Sequence, residues 1–147
     1  MTKRLPPAQR DEFSWFASIT LRWNDIDIFG HVNNARYYEF FDTTVVGFLH
    51  EADLGFGTGG AAMVVAENGC RFHREVKFTD SLEMGLRVEH IGTSSVRYGL
   101  AAFVNGESSA AADGHFIHVF VDPASKRPAP LDPAVRSHLE SILTLTA

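Results

Sequence analysis

Residues 25–38 read Asp-Ile-Asp-Ile-Phe-Gly-His-Val-Asn-Asn-Ala-Arg-Tyr-Tyr and run into an apolar stretch that continues to Ala52. Asp25, Asp27, Gly30, His31 and the pair Asn33-Asn34 crowd together just ahead of a helical pattern. At 100° per residue, Tyr37, Tyr38, Phe41, Val45, Phe48, Leu49 and Ala52 share one broad face. Arg36, Glu39, Thr43, Gly47 and His50 form the narrow opposite stripe, into which Phe40 and Val46 intrude. A helix this apolar must be covered over most of its circumference. Polar and titratable groups therefore gather at the start of a nearly buried helix, where backbone N–H groups are unpaired and the dipole is positive. Such a place stabilises an anion or a developing negative charge.

Upstream, Trp15, Ala17, Ile19, Leu21 and Trp23 alternate with mostly polar neighbours, Phe16 being the exception, so a strand is expected over 15–23. Downstream, Gly55-Phe-Gly-Thr-Gly-Gly60 matches G-x-G-x-x-G. It follows a helix and opens a strand, the reverse of a dinucleotide fingerprint, and reads as a connecting loop. Residues 62–78 are strand-like, with Asn68-Gly69 suggesting a bulge or bend. Leu82–Val88 and Val96–Val104 alternate in the same way, and Asn105-Gly106 is a hairpin signal. The run from about Ala110 to Val121 is apolar on both faces and should be central. Asp132-Pro133 supplies an N-cap and first turn for a last helix carrying Val135, Leu139, Ile142 and Leu143. The order strand, buried helix, four hairpin-linked strands, short helix describes an α+β domain whose five-stranded antiparallel sheet curls around its helix. Edge strands left uncovered favour dimerisation through an extended sheet.

Bulk composition narrows the function. The 147 residues suffice for one domain with a real core, and 45% hydrophobic with 21% charged residues is ordinary globular usage. A net charge of −5 argues against nucleic acid as partner, because phosphate neutralisation needs a basic face. The single cysteine excludes an intrachain disulfide and a multi-cysteine zinc site. No apolar run approaches the roughly 18 residues of a membrane span. The start of the chain lacks the apolar core of a signal peptide, so the expectation is a cytoplasmic protein with a flexible N-terminus over 1–12 and a single domain over 13–147.

The element order, with Asp-x-Asp-x-x-Gly-His-Val-Asn-Asn-Ala-Arg-Tyr at the entry to the helix, resembles the hotdog-fold acyl-CoA thioesterases, and within them the 4-hydroxybenzoyl-CoA thioesterase-like branch. The resemblance spans about Phe13 to Leu143; Gly92–Tyr98 and the Lys126-Arg-Pro loop also look family-like. It implies that the second acid, Asp27, acts as nucleophile or as base for water. A backbone N–H at the helix start, that of Asn34, would polarise the thioester carbonyl. It further implies a homodimer or homotetramer with the site at a subunit interface. No metal or redox cofactor is implied, coenzyme A being part of the substrate, whether the thioester is carried by coenzyme A or by an acyl carrier protein.

These roles suit the residue types. A carboxylate with the ordinary aspartate pKa of about 3.9 is ionised at neutral pH and ready to attack or to deprotonate water. No G-x-S-x-G offers a serine alternative. Asp25 reads as a loop acceptor. His31 suits contact with the acyl group or thioester, or capping of the helix from outside. Asn33 and Asn34 are N-caps by type, and Asn33 is also a candidate for the substrate pocket. Arg74, Arg97 and Lys126 are candidate partners for coenzyme A phosphates, as is Arg127. His115 and His118 are three apart on a strand, face opposite sides and make a poor metal pair. Two other functions fit the same fold: an enoyl-CoA hydratase or dehydratase using an Asp and a His, which Asp27 and His31 would mimic, and a non-catalytic acyl-CoA-binding module.

Overall fold

The computed structural model describes residues 3–52 and 62–144, which places the glycine-rich loop of 55–60 outside the described residues. Five strands, β1 (Trp15–Ile19), β2 (Ala62–Phe72), β3 (Leu82–Ile91), β4 (Ser95–Val104) and β5 (Ala112–Val121), form one antiparallel sheet in the order β1-β3-β4-β5-β2. Helix α1 (Arg36–His50) touches β1 at one edge of the sheet and β2 at the other, as well as β3, so the sheet bends around it. Helix α2 (Pro133–Glu140) packs against β3. This is the hotdog arrangement expected from the sequence. Among the described residues no helix is long and apolar enough to cross a membrane.

The buried side of α1 is Tyr37, Phe40, Phe41, Thr44, Val45, Phe48 and Leu49. Its face is thus rotated toward Phe40, which is 5% exposed, while Tyr38 is only half-buried. The sheet covers α1 from three sides, so a ring that looked intrusive on a helical wheel is core. Thr44 enters that core by giving its hydroxyl to the Phe40 carbonyl at 2.6 Å. Facing the helix are Met84, Leu86 and Val88 of β3, Val96, Tyr98 and Leu100 of β4, and Phe116 and Phe120 of β5. On the outer face a smaller cluster joins Phe13, Ala101, Phe103 and Ala110, with Ala8 and Phe16 packed on it. Residues 8–12, expected to fray, lie along this patch: Ala110 gives its N–H to the Ala8 carbonyl and Arg10 gives its own to Ser108.

Two strand boundaries and one position in the sheet differ from what periodicity predicts. First, β1 ends at Ile19 and Trp23 is 74% exposed. The chain turns at 23–25 because the fully buried Asp25 accepts the Arg22 N–H at 2.8 Å and its guanidinium at 3.1 Å, which breaks the alternation. Second, β2 ends at Phe72, not Lys77 or Phe78; beyond it Val76 is buried and accepts the Val32 N–H at 2.8 Å. Third, β5 is interior but β4 is the middle strand, with Ile117 and Val119 on the outer side of β5 only half-buried.

Asn105 and Gly106 both have positive φ (54° and 73°), the two-residue turn their sequence announced. The β2 register shifts between Val65 and Glu67, ahead of Gly69. Gly69 serves a close approach instead: a Cβ there would sit 2.7 Å from the His115 ring across the pair. Asp132 caps α2 by accepting the Ala134 N–H at 2.8 Å, with Pro133 in the first turn.

Candidate active site

The polar segment folds as a tight hairpin. Ile26 bridges Val32, the Asp27 N–H meets the His31 carbonyl at 3.0 Å, and the Gly30 N–H returns to the Asp27 carbonyl at 3.0 Å. Gly30 has φ +82°, a conformation closed to most L side chains, which accounts for glycine at the tip. The turn leaves Ile28 (94%) and Phe29 (75%) exposed and points the Asp27 carboxylate back toward the helix. Asp27 Oδ1 accepts the Phe29 N–H at 2.9 Å and Oδ2 accepts the Asn33 side-chain amide at 3.2 Å.

Asn33 links this carboxylate to α1. While its Nδ2 donates to Asp27, its Oδ1 accepts the Ala35 N–H at 2.9 Å and its carbonyl accepts the Arg36 N–H at 3.0 Å. The Asn33 N–H is taken by the Asp25 carbonyl at 2.8 Å. Asn33 is therefore the cap in practice, one turn ahead of the regular helix. The next N–H, that of Asn34, has no acceptor among the described residues. Asp25 anchors the assembly from beneath, holding Arg22 and lying 3.7 Å from Arg36 Nε.

A cleft of about 660 Å³ opens against this segment, lined by Asp27, Phe29, His31, Val32, Asn34 and Tyr37 on one side. Arg4 and the tail of β2, Phe72 to Glu75, line the other. The Val32–Val76 hydrogen bond sets the two sides together, and His31 Nε2 reinforces it with Glu75 at 2.8 Å. Tyr37 stacks edge-on against Phe72, ring centroids 5.2 Å apart. Burial, helped by Cys70, pushes the Tyr37 hydroxyl up to about 12, so it stays protonated. The Cys70 thiol is likewise pushed up to about 12, by burial first and then by Asp113, which removes it as a nucleophile.

A carboxylate and an unused helix-start N–H on one partly apolar cleft are what an acyl-transfer site needs. A profile of the thioesterase-like superfamily matches residues 21–139. The chain belongs to that superfamily. It is a thioester hydrolase with the hotdog fold. The PA5185 protein of Pseudomonas aeruginosa PAO1 superposes on this thioesterase with a TM-score of 0.91 at 41% identity, covering 95% of this chain and 98% of its own. A thioesterase from Thermus thermophilus, crystallised with coenzyme A and zinc, gives a TM-score of 0.75 at 28% identity, over 86% of this chain and 98% of that one. The long-chain acyl-CoA thioesterase FadM of Escherichia coli K12 is 24% identical over 127 residues, 85% of this chain and 96% of FadM.

Of the residues expected at the site, Asp27, His31, Asn34 and Arg74 line the thioesterase's cleft. Asn33 bonds inward, to Asp27 and Ala35. Arg97 lies on the outer face of the sheet with Arg71, Arg87 and Glu89, and Lys126 sits in the turn after β5, bonded through its N–H to the Asp122 carbonyl; within one chain neither lines this cleft. The periodicity reading passed over Arg4, Phe72, His73 and Glu75. Nothing local marks them, because the pairing of Val32 with Val76, 44 residues apart, brings Phe72, His73 and Glu75 there and the Phe72 carbonyl holds Arg4 beside them. Among the described residues no group of three or more His, Cys, Asp and Glu is placed to hold a metal ion.

Proposed function

We propose that this thioesterase hydrolyses acyl-CoA thioesters to free acid and coenzyme A, with Asp27 as the acting carboxylate and the Asn34 N–H as the donor to the carbonyl oxygen. The observation that carries the reading is that Asp27 and Asn34, whose N–H has no acceptor among the described residues, line one cleft and are joined through Asn33. A donor aimed at the oxyanion is worth about 2.7–4 kcal/mol by analogy with other such sites. Two routes use the same groups. In one, an Asp27 oxygen attacks the carbonyl carbon, the thiolate leaves, and water cleaves the mixed anhydride. In the other, Asp27 takes the proton of a water as that water attacks. Either way charge develops on the carbonyl oxygen beside Asn34. Coenzyme A in the Thermus structure and the acyl-CoA thioesterase activity of FadM support the carrier, and we assign the chain to the 4-hydroxybenzoyl-CoA thioesterase-like branch on its 25–38 segment.

A homodimer or homotetramer belongs to this reading. Among the described residues the edge strand β2 pairs only with β5, and Val64 (51%) and Val65 (46%) are exposed along it; Phe72 (39%), Ile28 and Phe29 are exposed beside the cleft. A second copy would cover these side chains and complete the pocket. The hydratase reading needs Asp27 and His31 to act as a pair, whereas His31 gives Nε2 to Glu75 and Asp27 is held by Phe29 and Asn33.

The test is free-thiol release from a panel of acyl and aryl thioesters of coenzyme A and of carrier protein. Asp27→Asn and Asp27→Ala should lower kcat/KM by about 10²–10⁴, the range for loss of a general base, with circular dichroism unchanged. Full turnover in Asp27→Ala would end the assignment. Hydration of crotonyl-CoA without thiol release would instead mark a hydratase, and tight acyl-CoA binding with neither activity a binding module.

A further inference from the structure

We infer that the N-terminal segment Arg4–Ala8 is part of the substrate site: a strap whose Arg4, together with Arg74, binds a phosphate of the thioester's carrier. The inference rests on the acyl-CoA reading above. Among the described residues, Arg4 and Arg74 are the two Lys or Arg residues lining the cleft, in a chain of net charge −5. Arg4 reaches it by donating from its guanidinium to the Phe72 carbonyl. That bond uses one of the five donors of the fork and leaves in-plane N–H groups along its edge for an oxyanion. Arg74 reaches the same cleft from the β2 tail, its Nη2 paired with Glu107 at 2.6 Å.

The strap is anchored through a buried carboxylate. Asp113, 2% exposed, accepts the Ala8 N–H on Oδ2 at 2.9 Å. The same oxygen meets His73 Nε2 at 2.8 Å, while Oδ1 takes Arg71 through Nε at 2.9 Å and Nη2 at 2.8 Å. A buried charge is tolerated only when its lone pairs are filled, so these donors are held together as a set. The set ties the strap to His73, a lining residue, and the Ala111 carbonyl fixes His73 and Arg74 by accepting both their N–H groups (2.8 and 3.1 Å). Asp113 is thus a positioning residue that places the strap and the β2 tail on one cleft wall. Coenzyme A and the phosphopantetheine of a carrier protein both bring a phosphate next to the pantetheine arm, and two guanidinium forks suit it.

The test compares one acyl group on three carriers: coenzyme A, pantetheine without phosphate, and phosphopantetheine on a carrier protein. In Arg4→Ala the preference for acyl-CoA over acyl-pantetheine, as a ratio of kcat/KM, should fall about tenfold or more through KM, the scale of one charge-assisted contact. Arg4→Lys should recover part of it, and Asp113→Asn should lower the same ratio from a position remote from the phosphate. A fall for coenzyme A alone assigns the strap to the nucleotide's phosphates; a fall for the carrier protein as well assigns it to the phosphate beside pantetheine. An unchanged ratio in Arg4→Ala overturns the inference, whatever Asp113→Asn does to folding. If the parent protein hydrolyses none of the three, the acyl-CoA reading fails separately. Titration with coenzyme A then decides the strap: a Kd raised about tenfold in Arg4→Ala supports it and an unchanged Kd overturns it.

Discussion

Replacing Asn33 separates the two jobs of the residue that joins the carboxylate to the helix. Asn33→Ala removes the Oδ1 acceptor of the Ala35 N–H, a cap worth about 1 kcal/mol, and the Nδ2 donor to Asp27, a charge-assisted bond of similar or greater worth. The sum is about 2 kcal/mol, or a fall in Tm of about 4–8 °C at 2–4 °C per kcal/mol for a domain near this size. Asn33→Asp keeps an acceptor at the helix start, where a negative charge is favoured, so its Tm should drop less. It also sets a second carboxylate at the place now 3.2 Å from Asp27 Oδ2. Like charges this close cost about 1–4 kcal/mol across the dielectric range from water to a protein surface, and the pair relieves this by sharing a proton. At about 1.4 kcal/mol per pH unit, the acidic limb of the Asn33→Asp activity profile should therefore move up by about 1–3 pH units, with activity lost at mildly acidic pH and recovered as pH rises. Differential scanning calorimetry and a pH profile of kcat/KM read the two effects. Parent activity with a parent pH profile in Asn33→Asp, or an unshifted Tm in Asn33→Ala, would refute the linkage.

Gly114→Ala should destabilise by about 3 kcal/mol or more, seen as a collapse of the urea midpoint, because the new Cβ would lie 2.0 Å from the Gly69 carbonyl and 2.8 Å from the Phe41 ring. Val65→Lys on the free edge of β2 should shift the sedimenting species to a smaller mass and lower activity with it, as strand pairing between copies is lost. His118 is 2% exposed and its Nδ1 has no partner among the described residues; burial holds its pKa below the ordinary value, with Asp42 opposing. The unfolded ring takes a proton near pH 6.5 while the folded one stays neutral, so the unfolded state binds more protons and stability is lost as pH falls below about 6.5. His118→Leu should flatten that part of the Tm profile between about pH 7.5 and 5.5.

The segment 25–38 carried the reading because its signals are local. Apolar spacing put α1 in the core, the Asn33 type announced a cap, and Asp132-Pro133 opened α2; each needs only neighbours within a turn or two. The same locality explains the misplaced boundaries. Alternation carried β1 on to Trp23 and β2 on to Phe78, but a buried Asp25 bends the one and Val32 claims the backbone at the end of the other. No count of apolar periods contains those partners.

What the amino-acid order settled alone was the curled sheet, the buried helix and the carboxylate at its start, because hydrophobic period, turn chemistry and capping are properties of contiguous residues. What the tertiary structure decided was which residues share the cleft. Arg4, His73 and Arg74 meet Asp27 through the Val32–Val76 pairing and through Asp113, which collects donors from Ala8, Arg71 and His73. A buried carboxylate must fill its lone pairs from whatever the fold brings near, and that requirement acts across a hundred residues of chain.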